Sequence, residues 1–303
     1  MTPRVSVILP TRNRREALGR ALASLEAQSY RDFEVVVVDD ASTDGTAAWL
    51  GEHFPAMRVV ALPKAMGAAA ARNRGLELAR GEIVAFLDDD DAWQPPYLEA
   101  QVAHLEAHPE ADLSFADHLE RSPGGRESWP DTRSLLVYPS PLVRLLSESF
   151  IHTMSVVVCR RSAFARAGLF DERLSIVHDL DWYARVLVGG GRIAHLPRLL
   201  AERAVPGGLV TSHREWFREE GLLLARTFAT MPGQGRHERM VRAYRSLFFA
   251  WVGLGKGSLA FGLSRLAEAL RASTVWTIRI AAFRLLRRAH LDWRDVPDDL
   301  GAV

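Results

Sequence analysis

Short runs rich in β-branched residues, separated by helix-length stretches, constrain what the first third of this 303-residue chain can fold into. Residues 5–9 (VSVIL), 33–38 (FEVVVV), 58–62 and 83–87 (IVAFL) carry the composition of strands. Residues 15–28, 46–53 and 68–80 carry apolar spacing of helical length. Strands apolar on both faces and alternating with helices make a mostly parallel, Rossmann-like sheet with helices on either side. The expected class is α/β. Ligands of such sheets gather beyond the carboxyl ends of the strands, so the residues at those ends carry the functional information.

The first strand runs into Pro10, Thr11, Arg12 and Asn13, the second into 39–45 (DDASTDG), and the fourth into Asp88, Asp89, Asp90 and Asp91. Polar and acidic groups from separate parts of the chain thus meet at one sheet edge, which is the pattern of a site. Two carboxylates about 5 Å apart repel by roughly 3 kcal/mol at an effective dielectric near 20. A divalent cation cancels that cost, and hard carboxylate oxygens suit Mn²⁺ or Mg²⁺. The competing reading of the four aspartates is an acidic turn in water that caps the next helix. Ser42 and Asp44 are turn formers placed to cap a helix starting near Thr46. A cap needs only one of Asp39 and Asp40; the other is able to accept a hydrogen bond from the N–H of a nucleobase.

Charge separates the chain into two parts. The totals nearly cancel, 38 basic against 37 acidic residues, which disfavours a nucleic-acid partner. From Arg236 to Arg288, however, eleven basic residues face only Glu238 and Glu268. The Gly- and Pro-containing stretch 205–213 is the expected boundary. It gives a larger α/β part over 1–212, divided at about 110, followed by a basic helical region over 213–303. Within 122–141, four prolines and two glycines indicate a long surface loop that carries Trp129 and Tyr138. Residues 151–159 read as a strand, with Cys159 a small buried residue. A helix over 275–289, with Arg284, Arg287 and Arg288 off its apolar face, either lies on an anionic membrane or packs on the larger part or a second copy in a homodimer. One cysteine excludes an internal disulfide. The apolar run 5–9 is too short for a signal peptide, and no run of about 20 apolar residues occurs. The expected location is cytoplasmic, with peripheral contact at the inner membrane face through the basic helices.

The motifs VSVILPTRNR (5–14), FEVVVVDDASTDGT (33–46), GAAAARNRGLELARGEIVAFLDDDDAW (67–93) and GLFDERLSIVHDLDWYARVLVGGGRIAHLP (168–197) resemble, in order and spacing, the family 2 glycosyltransferases. These are inverting nucleotide-sugar transferases of the GT-A fold, so the resemblance makes 1–212 the catalytic domain, with a nucleotide-binding part over about 1–110 and an acceptor-binding part over about 111–212. The strand at 151–159 would border the acceptor site, and Trp129 and Tyr138 would either stack on a sugar or pin their loop. The resemblance implies that Pro10, Thr11 and Arg12 line the nucleotide pocket, that Asp40 meets the base, and that Asp39 is structural or near the ribose. Arg72 would reach the nucleotide or its diphosphate, with a surface helix arginine as the alternative. The D-x-D element falls on Asp88, Asp89 and Asp90, with Asp90 the direct ligand of Mn²⁺ or Mg²⁺, Asp89 beside the ribose, and Asp91 capping a helix near 95–96.

The family's catalytic base maps onto Asp179, with Asp181 its competitor and an N-cap role its alternative; His178 stands where the family often has Glu. After the strand at 192–196, many relatives carry Arg-x-His, whereas this chain has Arg203-Ala204-Val205, with His213 as a distant substitute. The implied function is transfer from a nucleotide-sugar donor, UDP- or dTDP-linked, to a hydroxyl of a saccharide, lipid-linked or other acceptor in polysaccharide or glycan biosynthesis. The alternative is a catalytically dead sugar-nucleotide-binding scaffold. A nucleotidyltransferase would carry a Gly-rich loop after the first strand, and Pro10-Thr11-Arg12-Asn13 is not one.

Overall fold

The structure is a computed structural model that describes residues 2–55, 57–122, 127–128, 138, 140–205, 213–230, 235–255, 259–273 and 277. The parallel half of its sheet is built from β1 (Val5–Thr11), β2 (Phe33–Asp39), β3 (Arg58–Ala61) and β4 (Ile83–Phe86). Between them lie α1 (Arg15–Glu26), α2 (Thr46–His53) and α3 (Ala68–Leu78). The strand order is β3-β2-β1-β4. β1 is buried along its whole length, as its unbroken apolar run requires. It extends past Leu9 because Pro10 pairs with Val38 and Thr11 with Asp39. Ile8 is level with Phe86 on the other side. This register brings the ends of β1, β2 and β4 to one edge, so Thr11, Asp40 and Asp88 become neighbours in space.

The chain continues through β5 (Ala92–Trp93), α4 (Tyr97–Ala107), β6 (Leu113–Arg121), β7 (Glu127–Ser128), α5 (Pro141–Glu148), β8 (Val157–Arg160), α6 (Ser162–Ala167), α7 (His178–Val188) and β9 (Ile193–Ala204). The sheet runs on from β4 as β8-β6-β9-β5, with β7 beside β6. β8 is antiparallel to both β4 and β6, and β6 and β9 are parallel. Residues 151–159 do not form one strand. Met154–Val156 make a single 3₁₀ turn, and β8 starts only at Val157. Side chains outcompete the ladder here: Thr153 Oγ1 accepts the Ser155 N–H at 3.2 Å, and Ser155 Oγ accepts the Asp88 N–H at 2.9 Å. Cys159 is fully buried on β8, and burial pushes its thiol pKa up.

Two glycines allow close approach to β1. A Cβ on Gly75 would stand 2.4 Å from Ile8 Cγ2, and one on Gly81 would stand 2.7 Å from Ser6 N and 2.8 Å from Val5 C. The Gly81 contacts are backbone and have no rotamer to yield. Gly81→Ala is expected to destabilise the protein by about 1–3 kcal/mol, read as a lowered Tm; an unchanged Tm would contradict this approach.

The chain divides into two compact units: Met1–Thr132 with Phe150–Ser212, and Arg133–Ser149 with His213–Val303. Residues 133–149, expected within the acceptor part, thus group with the C-terminal helices. The reason lies in α5, which buries Leu142, Val143, Leu145 and Leu146 and receives Arg245 at its end. That guanidinium donates to Ser147 O at 3.3 Å and Ser149 Oγ at 3.2 Å. The second unit contains α8 (His213–Ala229), α9 (Gly235–Gly255) and α10 (Leu259–Ala272). Its Arg245 and Glu220 form a buried ion pair. No described helix is long and apolar enough to cross a membrane. Apart from Tyr138, Ser140, Pro141 and the short β7, the expected 122–141 loop past Ser122, including Trp129, lies outside the described residues, as does nearly all of the 275–289 helix.

Candidate active site

The ends of β1, β2, β4 and β9, the first turns of α3 and α7, and residues 152–154 surround an open cleft of about 750 Å³, within the size range of small-molecule sites. Pro10, Thr11, Arg12, Asp40, Arg72, Asp88, Asp89, Asp90 and Asp179 all line it.

The acidic run is differentiated by its surroundings. Asp89 is buried, with Thr11 Oγ1 donating to it at 2.8 Å and Arg14 Nη1 at 3.2 Å. Asp88 pairs with the Arg72 guanidinium. Asp90 is partly exposed to the same degree as Asp88, 28% against 27% in the side chain, and it pairs with Arg14. Asp91 turns inward, taking Thr153 Oγ1–H at 3.1 Å and the Ala204 N–H at 2.9 Å. It does not cap the following helix, because α4 starts at Tyr97 with no side-chain cap; instead it fastens the end of β9 to the acidic run. Burial, with its carboxylate neighbours adding, raises the pKa of Asp91 to about 7, and burial is also the largest cause of the rise at Asp89 to about 6. Four carboxylates with two guanidiniums, Arg14 and Arg72, leave excess negative charge on hard oxygen donors. Such a donor set fits Mn²⁺ or Mg²⁺.

Arg72 is not a surface residue. It is 4% exposed, and besides Asp88 its Nη1 donates to His178 Nε2 at 2.5 Å. Burial opposes its charge, but Asp88 and Asp179 outweigh that and raise its pKa. The imidazole that replaces Glu at position 178 therefore still presents an acceptor to this arginine. Asp179 is half-buried in the first turn of α7, where its Oδ1 accepts the Leu180 N–H at 2.7 Å. Asp181 points elsewhere: it is buried and takes Arg185 Nε at 2.8 Å.

At the end of β2 the two aspartates have different work. Asp39 closes its own turn by accepting the Ser42 N–H at 2.9 Å. Asp40 accepts the Met66 N–H at 2.6 Å and the Gly67 N–H at 2.9 Å, leaving two of its four lone-pair directions. Asp44 holds the start of α2 through the Thr46 N–H at 3.1 Å, as its turn chemistry predicts. Ser42 instead accepts the Asn13 N–H at 2.9 Å, locking the β1 and β2 loops together. Asn13, at φ 53°, is a residue type that tolerates this conformation.

Sequence reasoning passed over Arg14, His152 and Thr153, which also line the cleft. Only Arg14 had a signal, its place in the first motif. Arg203 lines the cleft as well and donates to Glu120 at 3.0 Å. Val205, where the resemblance leads to the expectation of a histidine, uses its N–H on Arg121 O at 2.9 Å. His213 opens α8 in the other unit, and its side chain lies outside the described residues.

The sheet and its flanking helices form a domain of GT-A type. The glycosyl transferase family 2 model matches residues 6–168, and the chain belongs to that family. TuaG of Bacillus subtilis, named for teichuronic acid biosynthesis, is 44% identical over 106 residues, which cover 34% of this chain and 42% of TuaG. The chain thus spans less than half of that relative. S. aureus TarS 1–349 in complex with UDP-GlcNAc superposes with a TM-score of 0.69 at 21% identity, over 91% of this chain and 83% of that one. The mannosyltransferase PcManGT from Pyrobaculum calidifontis, in complex with GDP-Man and Mn²⁺, gives 0.57 at 24% identity, over 95% and 80%. These two likenesses concern the fold.

Proposed function

We propose that the protein transfers a sugar from a UDP- or dTDP-sugar to an acceptor hydroxyl during cell-surface polysaccharide biosynthesis, inverting the anomeric centre by direct displacement. The observation that carries this reading is the convergence of Asp179 and the Asp88–Asp91 run on one cleft. Pro10, Thr11 and Arg12 border the nucleotide, and Asp40 accepts from the base with its remaining lone pairs. The first turn of α3, where Ala68 lines the cleft, favours an anionic diphosphate through the amides that Asp40 does not take and through its dipole. Asp179 takes the proton from the attacking hydroxyl. Arg72 holds Asp88 and α7 in register, so the base keeps its place relative to the acidic run. Asp90, with Asp88 beside it, holds Mn²⁺ or Mg²⁺, which when bound stabilises negative charge on the departing diphosphate. The excess of basic residues over 236–288 supports contact with an anionic membrane face, where lipid-linked acceptors reside.

Calorimetric titration with UDP, dTDP and GDP, with and without Mn²⁺, tests the donor assignment. Metal-dependent binding of UDP or dTDP is expected; binding of GDP alone overturns the choice of base, and tight binding without turnover favours a dead scaffold. Proton release gives a separate check on the cation. Asp89 at about 6 and Asp91 at about 7 are partly protonated near pH 6.5, and a cation favours the ionised forms. Mn²⁺ binding is therefore expected to release more protons at pH 6.5 than at pH 8.5, measured by calorimetry in buffers of different ionisation enthalpy. Equal release at both would contradict it.

A further inference from the structure

A second constellation lies at the wall of the cleft, apart from the aspartates. His118 and Glu120 share β6, and His152 precedes the 3₁₀ turn. One ligand atom from each falls within 4.8 Å of the others. The two rings meet edge to face at 5.5 Å between centroids. His118 is 2% exposed, yet neither its Nε2 nor His152 Nδ1 has a hydrogen-bond partner, although both are buried. Glu120 Oε1 is 4.0 Å from His118 Nε2, beyond hydrogen-bond reach. An orphaned buried ring nitrogen is costly, and both belong to residues whose ligand atoms gather beside a carboxylate. Burial is the largest cause favouring the neutral, ligating form of both rings, followed by His152 for His118 and by Arg203 for His152.

We propose that His118, Glu120 and His152 form a binding site for a Zn²⁺-class transition-metal ion, distinct from the carboxylate site of Asp90. Two imidazoles and one carboxylate are an established zinc ligand set that leaves a fourth position for water or substrate. Zn–N bonds of about 2.0–2.1 Å at tetrahedral angles place ligand atoms roughly 3.3 Å apart, so modest side-chain rotations close the triad on an ion. Glu120 already accepts from Arg203 at 3.0 Å and from Ser128 Oγ at 3.1 Å, which orients it as outer partners orient metal ligands. The ring nitrogens select against Mg²⁺, which prefers oxygen, so the two sites take different ions. His152 and Arg203 both line the donor cleft, which puts the ion where it shapes that wall.

The test titrates Zn²⁺ calorimetrically into tag-free protein with the carboxylate site saturated by Mg²⁺, and records Co²⁺ absorption bands as a nitrogen-ligand signature. His118 is deeply buried, so the variants are His152→Ala and Glu120→Gln, each checked for folding by circular dichroism. One equivalent of Zn²⁺ is expected, weakened at least roughly tenfold in each variant, with the Co²⁺ bands lost in His152→Ala. Absence of Zn²⁺ binding, or binding unchanged in both folded variants, overturns the proposal.

Discussion

Asp179→Asn is expected to lower sugar transfer by about 10²–10⁴-fold, the range associated with a positioned general base, while nucleotide affinity changes by no more than about twofold, under 0.5 kcal/mol. The substitution is nearly isosteric. The Asn carbonyl still accepts the Leu180 N–H that Oδ1 holds at 2.7 Å, so the first turn of α7 keeps its geometry. What disappears is proton affinity. Loss of a negative charge near a helix N-terminus costs only about 0.3–1 kcal/mol, so folding does not account for the drop. Asp181→Asn is the matched comparison. It weakens the buried contact with Arg185 and is expected to lower Tm with turnover largely retained. If instead Asp179→Asn keeps near-native turnover and Asp181→Asn loses it, the base is Asp181.

The order of elements through β4 was legible because each strand is a β-branched run and each helix has its own spacing. The acidic run could be placed at the end of β4, but not the direction of each carboxylate. Asp90 and Asp91 are adjacent and chemically identical; only the approach of Thr153 and Ala204 turns the second inward. Arg72 was ambiguous for a related reason. The segment Ala68–Ala71 has too little contrast between faces to say which side of α3 packs, so a buried arginine and a surface one look alike. Residues 151–159 were misjudged because β-branched composition speaks for a strand, whereas Thr153 and Ser155 divert the backbone with their hydroxyls. His118 and Glu120 alternate on β6, but two residues at that spacing do not make a ligand set, and the third, His152, comes from the segment that leads into β8. The grouping of 133–149 with α9 likewise depends on Arg245, nearly a hundred residues away.

Asp90→Asn is the second large effect, and it tests the division of labour within the acidic run. Asp89 and Asp91 are buried and held by Thr11, Thr153 and Ala204, and Asp88 is paired with the buried Arg72. Asp90 and Asp88 are equally exposed, but the Asp90 carboxylate is matched with Arg14, 49% exposed in its side chain, whereas the partner of Asp88 is 5% exposed. An exposed arginine swings away at little cost, so Asp90 is the carboxylate best able to exchange a protein partner for a cation. Asp90→Asn is expected to raise the Mn²⁺ concentration for half-maximal turnover by at least roughly 10–100-fold, the loss that even outer partners of a metal ligand produce. Saturating turnover should fall about 10²-fold or more as diphosphate charge goes less compensated. Arg14→Ala is expected to move the Mn²⁺ requirement the other way, because it removes the cation that competes for Asp90. Should Asp88→Asn shift the Mn²⁺ dependence while Asp90→Asn leaves it in place, the direct ligand is Asp88, and Arg72 rather than Arg14 is the side chain that must give way.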